Sequence, residues 1–303
     1  MGSLGDKLGQ IIIPMATPFK EGSQDVNFDA AANLANFVIE RNYCDSIAVA
    51  GTSGEFNTMS VEERCELFEC VKDATAKRVP LVAGACASST RDAVTLTEKA
   101  EALGYDAVMV VGPYYCKPTQ QGIFEHFKSV AESTSLPVLL YNIPIFTGLN
   151  VAPATVSRLA QISNVMGIKD EAGINPTQMT DYALVTPEDF TIYNGDDIMV
   201  LCGLAQGAAG VVSGASIMIG DKMRKMIELF LAGQIESARE IHMALDPFFK
   251  AFCQNGRTNG IPIWKAAMNL CGLNVGPARQ PFDAATPEEI KVIKSHLERL
   301  EVI

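Results

Sequence analysis

Short, nearly uninterrupted apolar runs recur along the chain, separated by longer stretches in which apolar residues return every three or four positions. The first pattern reads as buried strand and the second as amphipathic helix. Eight strands are predicted, at "QIIIP" (10–14), "SIAVA" (46–50), "VPLVAG" (79–84), "DAVMVV" (106–111), "PVLLYN" (137–142), "VMGIK" (165–169), "FTIYN" (190–194) and "AGVVS" (209–213). Between them, "SVEE" at Ser60 to Glu63 is a capping box that predicts a helix running through Val71. "TRDAVTLTEKAEALG" predicts another, from an N-cap at Thr90 to a stop at Gly104. Strands this apolar, alternating with helices, imply a parallel sheet covered by helices. Eight of them favour a closed (β/α)8 TIM barrel over an open doubly wound sheet, and "PMATPF" after the first strand lacks the GxGxxG a Rossmann fold needs. From about 221 to 302 only helical patterns follow, among them "KMRKMIELFLAG" and "TPEEIKVIKSHLERL". The expected organisation is an α/β protein in which residues 1–220 form the barrel and its site and residues 221–303 a helical C-terminal region packed on it.

Composition narrows the function. A 303-residue chain, 48% hydrophobic and without a low-complexity linker, fits one compact unit. Its net charge of -11 argues against nucleic acid, which demands a basic patch. No apolar run reaches membrane-spanning length. "MGSLGDKLGQ" has no signal-peptide core, and Asp6 breaks the myristoylation pattern. The eight cysteines contain no CxxC pair, and Cys202 and Cys253 lie in apolar stretches. They read as reduced, buried thiols, so a cytoplasmic protein with neither membrane nor nucleic-acid partner is expected.

In a TIM barrel the reactive side chains gather at the C-terminal ends of the strands. Those ends carry Thr17, "GTSGE" (51–55), "PYY" (113–115), "YN" (141–142), Lys169, "GDD" (195–197) and Ser213. Strand alternation puts Val165, Gly167 and Lys169 on one face, with Gly167 leaving that face open. A strand-end lysine is either half of an ion pair with Asp170 or Glu171, or a Schiff-base nucleophile. Asp170 faces the other way and is the poorer partner. Nucleophilic attack needs the free amine, so a catalytic lysine must titrate toward roughly 7–8. "GTSGE" is either a plain turn or a carboxylate cradle of backbone amides with the Thr52 and Ser53 hydroxyls. Tyr115 and Tyr141 are either packing residues or a proton relay. "GAAGVVSG" (207–214) stands where many barrels bind phosphate, though its glycines equally suit close packing. His126, His242 and His296 fall in helical segments, so neither a metal site nor a histidine-based triad is assigned.

"GTSGE", "PYY", "YNIP" and "GIKD", in this order on successive strands, resemble the dihydrodipicolinate synthase/N-acetylneuraminate lyase family over nearly the whole chain. The resemblance implies a class I aldolase, often a homotetramer, that needs no cofactor because its lysine forms an imine with pyruvate. Carried over by motif, Lys169 is that lysine and Tyr141 the acid/base. Thr52 and Ser53, on the turn opened by Gly51, hold the pyruvate carboxylate, and Tyr115 joins the relay of a neighbouring subunit. Gly195, Asp196, Val212 and Phe146 complete the implied substrate pocket. One departure bears on the aldehyde: the synthases carry an arginine after "YN(V/I)P", in a P-x-R-T-G pattern, where this chain has Phe146. An arginine elsewhere on the C-terminal face, such as Arg257 or Arg279, could take its place. "GIKD", "GEF" and the apolar residue before "TG" look more like aldolases of 2-keto-3-deoxy sugar acids, with 4-hydroxy-2-oxoglutarate aldolases close behind. Cleavage of such an acid to pyruvate and an aldehyde is therefore the leading expectation. The alternatives are 4-hydroxy-tetrahydrodipicolinate synthase (pyruvate plus aspartate semialdehyde), N-acetylneuraminate lyase and, remotely, a non-catalytic keto-acid-binding barrel.

Overall fold

The computed structural model describes residues 3–171, 173 and 175–303. Met1 and Gly2, at the start of the stretch read for a leader or acylation signal, lie outside the described residues. The eight strands close into one parallel barrel in chain order, β1 pairing with both β2 and β8. They run β1 Ile11–Pro14, β2 Ser46–Val49, β3 Leu81–Gly84, β4 Ala107–Val111, β5 Val138–Asn142, β6 Val165–Asp170, β7 Thr191–Asn194 and β8 Gly210–Val212. All eight lie where the apolar runs predict them. Nearly every strand residue is buried, because the barrel interior covers one face and the helical ring the other.

The helices are α1 Leu4–Leu8, α2 Phe28–Glu40, α3 Val61–Thr75, α4 Thr90–Ala102, α5 Gln120–Glu132, α6 Pro144–Thr147, α7 Pro153–Leu159, α8 Gln178–Ala183, α9 Val200–Ala205, α10 Ser216–Leu231, α11 Ile235–Lys250, α12 Ile261–Leu270 and α13 Pro287–Arg299. The Ser60–Glu63 capping box opens α3 as read, but the helix continues past Val71 to Thr75, where Ala76 turns left-handed. Ser89, rather than Thr90, caps α4. Thr90 instead hydrogen-bonds the buried His126 at Nδ1, 3.0 Å away. The sequence pattern misses α1, since five residues are too few to show a period. Its Leu4 and Leu8 are buried, and it is tied to the strand starts by Gly5 N–H donating to Thr191 Oγ1 and Ser46 Oγ donating to the Leu8 carbonyl.

The C-terminal helices share one continuous core with the barrel, with Phe248, Ile263, Met268 and Leu297 among its members. The boundary expected at 220 falls inside α10, one residue after a backbone kink at Ile219. Correcting the reading of the cysteines, Cys202 and Cys253 are exposed, as is Cys116. Cys44 and Cys86 are buried, and all eight thiols are unpaired. Apolar neighbours in sequence do not by themselves bury a side chain. Among the described residues no helix is long and apolar enough to cross a membrane.

Within that C-terminal region Arg257 forks onto Glu289, Nε to Oε1 at 2.7 Å and Nη2 to Oε2 at 3.0 Å. These hydrogen bonds hold the Glu289 carboxyl at about 2, against an ordinary 4.5. A depressed carboxyl stabilises the fold above its unfolded value and ceases to do so as pH falls from 4.5 toward 2. Arg257→Ala should therefore melt below the wild type at pH 7, the gap closing only below about pH 4.5. Melting curves across that range check it, and a gap that widens on acidification would contradict the assignment.

Candidate active site

At the C-terminal mouth of the barrel lies a cavity of about 500 Å³, lined by strand ends on one side and the C-terminal region on the other. Lys169, next to last in β6, is buried, 4% exposed, and lines the cavity. The parallel register sets it beside Tyr141 of β5, and Nζ lies 4.0 Å from the centre of the Tyr141 ring. Gly195 is what makes room for it: a Cβ there would stand 2.7 Å from Lys169 Cε. Gly167, read as opening this face, serves another purpose, because a Cβ on it would meet the Thr191 carbonyl of β7 at 2.5 Å. It permits close strand approach, and the opening belongs to Gly195.

Of the two ion-pair partners open to Lys169, the structure selects Glu171, with Nζ 3.1 Å from Oε2. Asp170 is buried on the other face, accepting from Asn142 and Gln178. Glu171 also accepts the Tyr141 hydroxyl at 2.9 Å. Tyr141 has thereby committed its proton, so the Thr52 hydroxyl, 3.2 Å away, donates to the phenol oxygen. Burial first, then the Glu171 charge, raises Tyr141 well above the ordinary tyrosine value, and it stays protonated through the working range.

Thr52 and Ser53 open a 3-10 turn, Thr52–Gly54, whose first amides face no acceptor of their own turn. The Gly51 carbonyl anchors the turn by accepting from Gly54 and Phe56, and Thr17 Oγ1 donates to the Gly54 carbonyl at 2.6 Å. Glu55, left-handed at φ 56°, sends a buried carboxylate to Lys265 Nζ at 2.6 Å and to the Arg279 amide at 2.8 Å. The C-terminal region thus braces the loop that presents Thr52 and Ser53.

Asp196 and Asp197 follow β7. Burial raises both, Asp197 to about 6, and Asp197 Oδ1 has no partner among the described residues. Of the residues singled out from sequence, Thr52, Ser53, Tyr141, Phe146, Lys169, Gly195, Asp196 and Val212 all line the cavity. Gly51 lies behind it as a support of the turn. Tyr115 does not reach it within its own chain: it sits at φ 70° with 94% of its surface exposed. Two of the "GAAGVVSG" glycines show close packing, since a Cβ on Gly210 would strike the Gln10 carbonyl and one on Gly214 the Trp264 ring, whereas Gly207 turns at φ 92° with nothing near its Cβ position. Neither Arg257 nor Arg279 lines the cavity. The first is held by Glu289 and Asp283, the second by Glu63, bidentate at 2.6 and 2.9 Å.

Sequence reasoning missed the wall formed by Lys250, Phe252, Cys253 and Trp264, which come from beyond the eighth strand and so from outside any strand-end list. It named Glu171 only as an ion-pair partner. Continuing the alternation one step past Lys169 puts Glu171 on the same face, and its amide does extend the ladder by donating to the Asn142 carbonyl.

A closed (β/α)8 barrel with a buried lysine and a hydrogen-bonded tyrosine at its mouth suits a class I aldolase. The model of the dihydrodipicolinate synthetase family matches residues 7–300, and the chain belongs to that family. The 4-hydroxy-tetrahydrodipicolinate synthase of Desulforudis audaxviator is 42% identical over 295 residues, covering 97% of this chain and 98% of that protein. The 4-hydroxy-tetrahydrodipicolinate synthase 1 of Halalkalibacterium halodurans is 43% identical over 282 residues, covering 93% and 94%. The crystal structure of a dihydrodipicolinate synthase from Bacillus anthracis superposes with a TM-score of 0.90 at 38% identity, covering 96% of this chain and 98% of that one. With the family comes the enzyme class, a carbon–carbon lyase working through a lysine imine with pyruvate.

Proposed function

We propose that Lys169 forms the imine with pyruvate, that Tyr141 moves protons at the reacting atoms, and that the Thr52 and Ser53 turn holds the pyruvate carboxylate. The observation that carries this is the buried Lys169 lining the cavity, its Nζ stacked on the Tyr141 ring whose hydroxyl meets Thr52. The protonated imine withdraws electrons from the adjoining carbon. Loss of a proton there gives an enamine, which attacks an aldehyde to form the C–C bond, and the reverse cleaves it. The exposure of Tyr115 fits its use in a neighbouring subunit of a homotetramer, and eight unpaired thiols fit a cytoplasmic enzyme.

For the aldehyde, the names of the curated relatives favour aspartate semialdehyde, the synthase reaction, over the keto-deoxy sugar acid that the motifs suggested. Phe146 is the observation that keeps the sugar-acid reading as the second one. An apolar ring stands in the cavity where the synthases place an arginine, with Arg257 and Arg279 both engaged elsewhere. A charge-assisted hydrogen bond to a substrate carboxylate is worth roughly 1.5–3 kcal/mol, or about 10–150-fold in specificity. The test pairs condensation of pyruvate with aspartate semialdehyde against pyruvate release from keto-deoxy sugar acids, in the native enzyme and in Phe146→Arg. Efficient condensation with no sugar-acid cleavage establishes the synthase. Poor condensation that Phe146→Arg improves by about 10-fold or more, with sugar-acid cleavage in the native enzyme, establishes the second reading.

A further inference from the structure

A single carboxylate oxygen, Glu171 Oε2, touches both the lysine nitrogen, at 3.1 Å, and the tyrosine hydroxyl, at 2.9 Å. Its place is fixed by the backbone, because the Glu171 amide is held on the Asn142 carbonyl at the end of the β5–β6 ladder. The hydrogen bonds run in one direction, Thr52 to Tyr141 to Glu171, and the Lys169 ammonium donates to the same end. Such an ion pair alone would oppose catalysis, since a carboxylate beside an ammonium keeps the amine protonated. It serves catalysis when the carboxylate can accept the proton.

We propose that Glu171 is the proton carrier of imine formation, a catalytic residue in contact with the reacting nitrogen. The inference rests on the reading of Lys169 as the imine-forming lysine. Glu171 takes one proton from the Lys169 ammonium, leaving a free amine whose lone pair attacks the pyruvate carbonyl carbon. The C–N bond forms, the carbonyl π electrons pass to oxygen, and a proton moves from nitrogen to that oxygen to give the carbinolamine. Glu171 then returns its proton to the carbinolamine hydroxyl. The C–O bond breaks, water leaves, and the nitrogen lone pair closes the protonated imine. The sum is ammonium plus ketone giving iminium plus water, with Glu171 again ionised.

The surroundings fit a group that changes protonation. Burial raises the Glu171 carboxyl above its ordinary value and outweighs the opposing effect of Lys169. Asp196 and Asp197 from the turn after β7 add negative charge beside it, Tyr141 faces it from β5, and Lys250 and Cys253 face the same cavity from the C-terminal region.

The experiment measures the rate of pyruvate imine formation in the full chain by borohydride quenching across pH, with the adduct mapped to its peptide. Wild type is expected to trap at Lys169 with a rate that falls on the acid side as Glu171 takes up its proton. Glu171→Gln keeps the side-chain shape and should slow trapping by about 10²-fold or more. Glu171→Asp should recover part of the rate, and formate should partly restore trapping in Glu171→Ala, which a purely structural role would not allow. Trapping at Lys169 in Glu171→Gln within about threefold of wild type overturns this role while leaving the Lys169 reading standing. Absence of any Lys169 adduct in active wild type overturns both.

Discussion

Lys169→Arg is expected to give a folded protein with no pyruvate adduct and no turnover above background. A guanidinium stays protonated at any working pH and offers no lone pair to a carbonyl carbon. The loss should exceed the ~10²–10⁴-fold that follows removal of an acid–base group, because the nucleophile itself is gone. Space argues in the same direction, since the lysine passes so close to Gly195 that a single added Cβ would lie 2.7 Å from Cε. Lys169→Met is the companion variant, removing the charge with similar bulk while leaving the Tyr141 ring a partner. The measurement is borohydride trapping with peptide mapping, and mapping is needed because Lys250 lines the same cavity. An adduct on Lys250 in the wild type, or undiminished turnover in Lys169→Arg, would remove Lys169 from the mechanism.

The barrel was legible because a strand covered on both faces has to be apolar throughout. "QIIIP", "DAVMVV" and "PVLLYN" announce themselves without any alternation to decode. Strand ends then pointed to side chains that line the cavity, since position along a parallel strand fixes position in the barrel. What stayed hidden depends on packing between distant segments. Gly195 and Gly167 look alike in sequence, yet one clears the path of Lys169 and the other admits the Thr191 carbonyl. Cys253 and Trp264 reach the cavity only because the C-terminal helices fold back over the mouth. The Glu55–Lys265 pair joins residues 210 positions apart, and neither has a local signal for the other. Phe146 was legible as a departure from a motif. Only the structure showed that Arg257 and Arg279 are held by carboxylates and do not line the cavity.

Tyr141→Phe should reduce turnover by about 10²–10⁴-fold while pyruvate still traps slowly at Lys169. The ring remains in place, because the β5–β6 register positions it and the lysine still stacks 4.0 Å from its centre. Only the hydroxyl is lost, and with it the bridge between Thr52 and Glu171. That deprives a half-buried carboxylate of one donor, a cost of roughly 1–3 kcal/mol in stability that a melting curve can separate from the kinetic effect. Tyr141 itself contributes no titration in the neutral range, being held protonated by burial, so the pH profile of the variant should keep the acid limb assigned to Glu171. The double variant Tyr141→Phe with Glu171→Gln then decides whether the two act in series. Groups that pass the same proton are non-additive, so the pair should be little worse than the slower single variant. Fully multiplicative losses would place the two residues in separate steps, and full activity in Tyr141→Phe would make Tyr141 a packing residue.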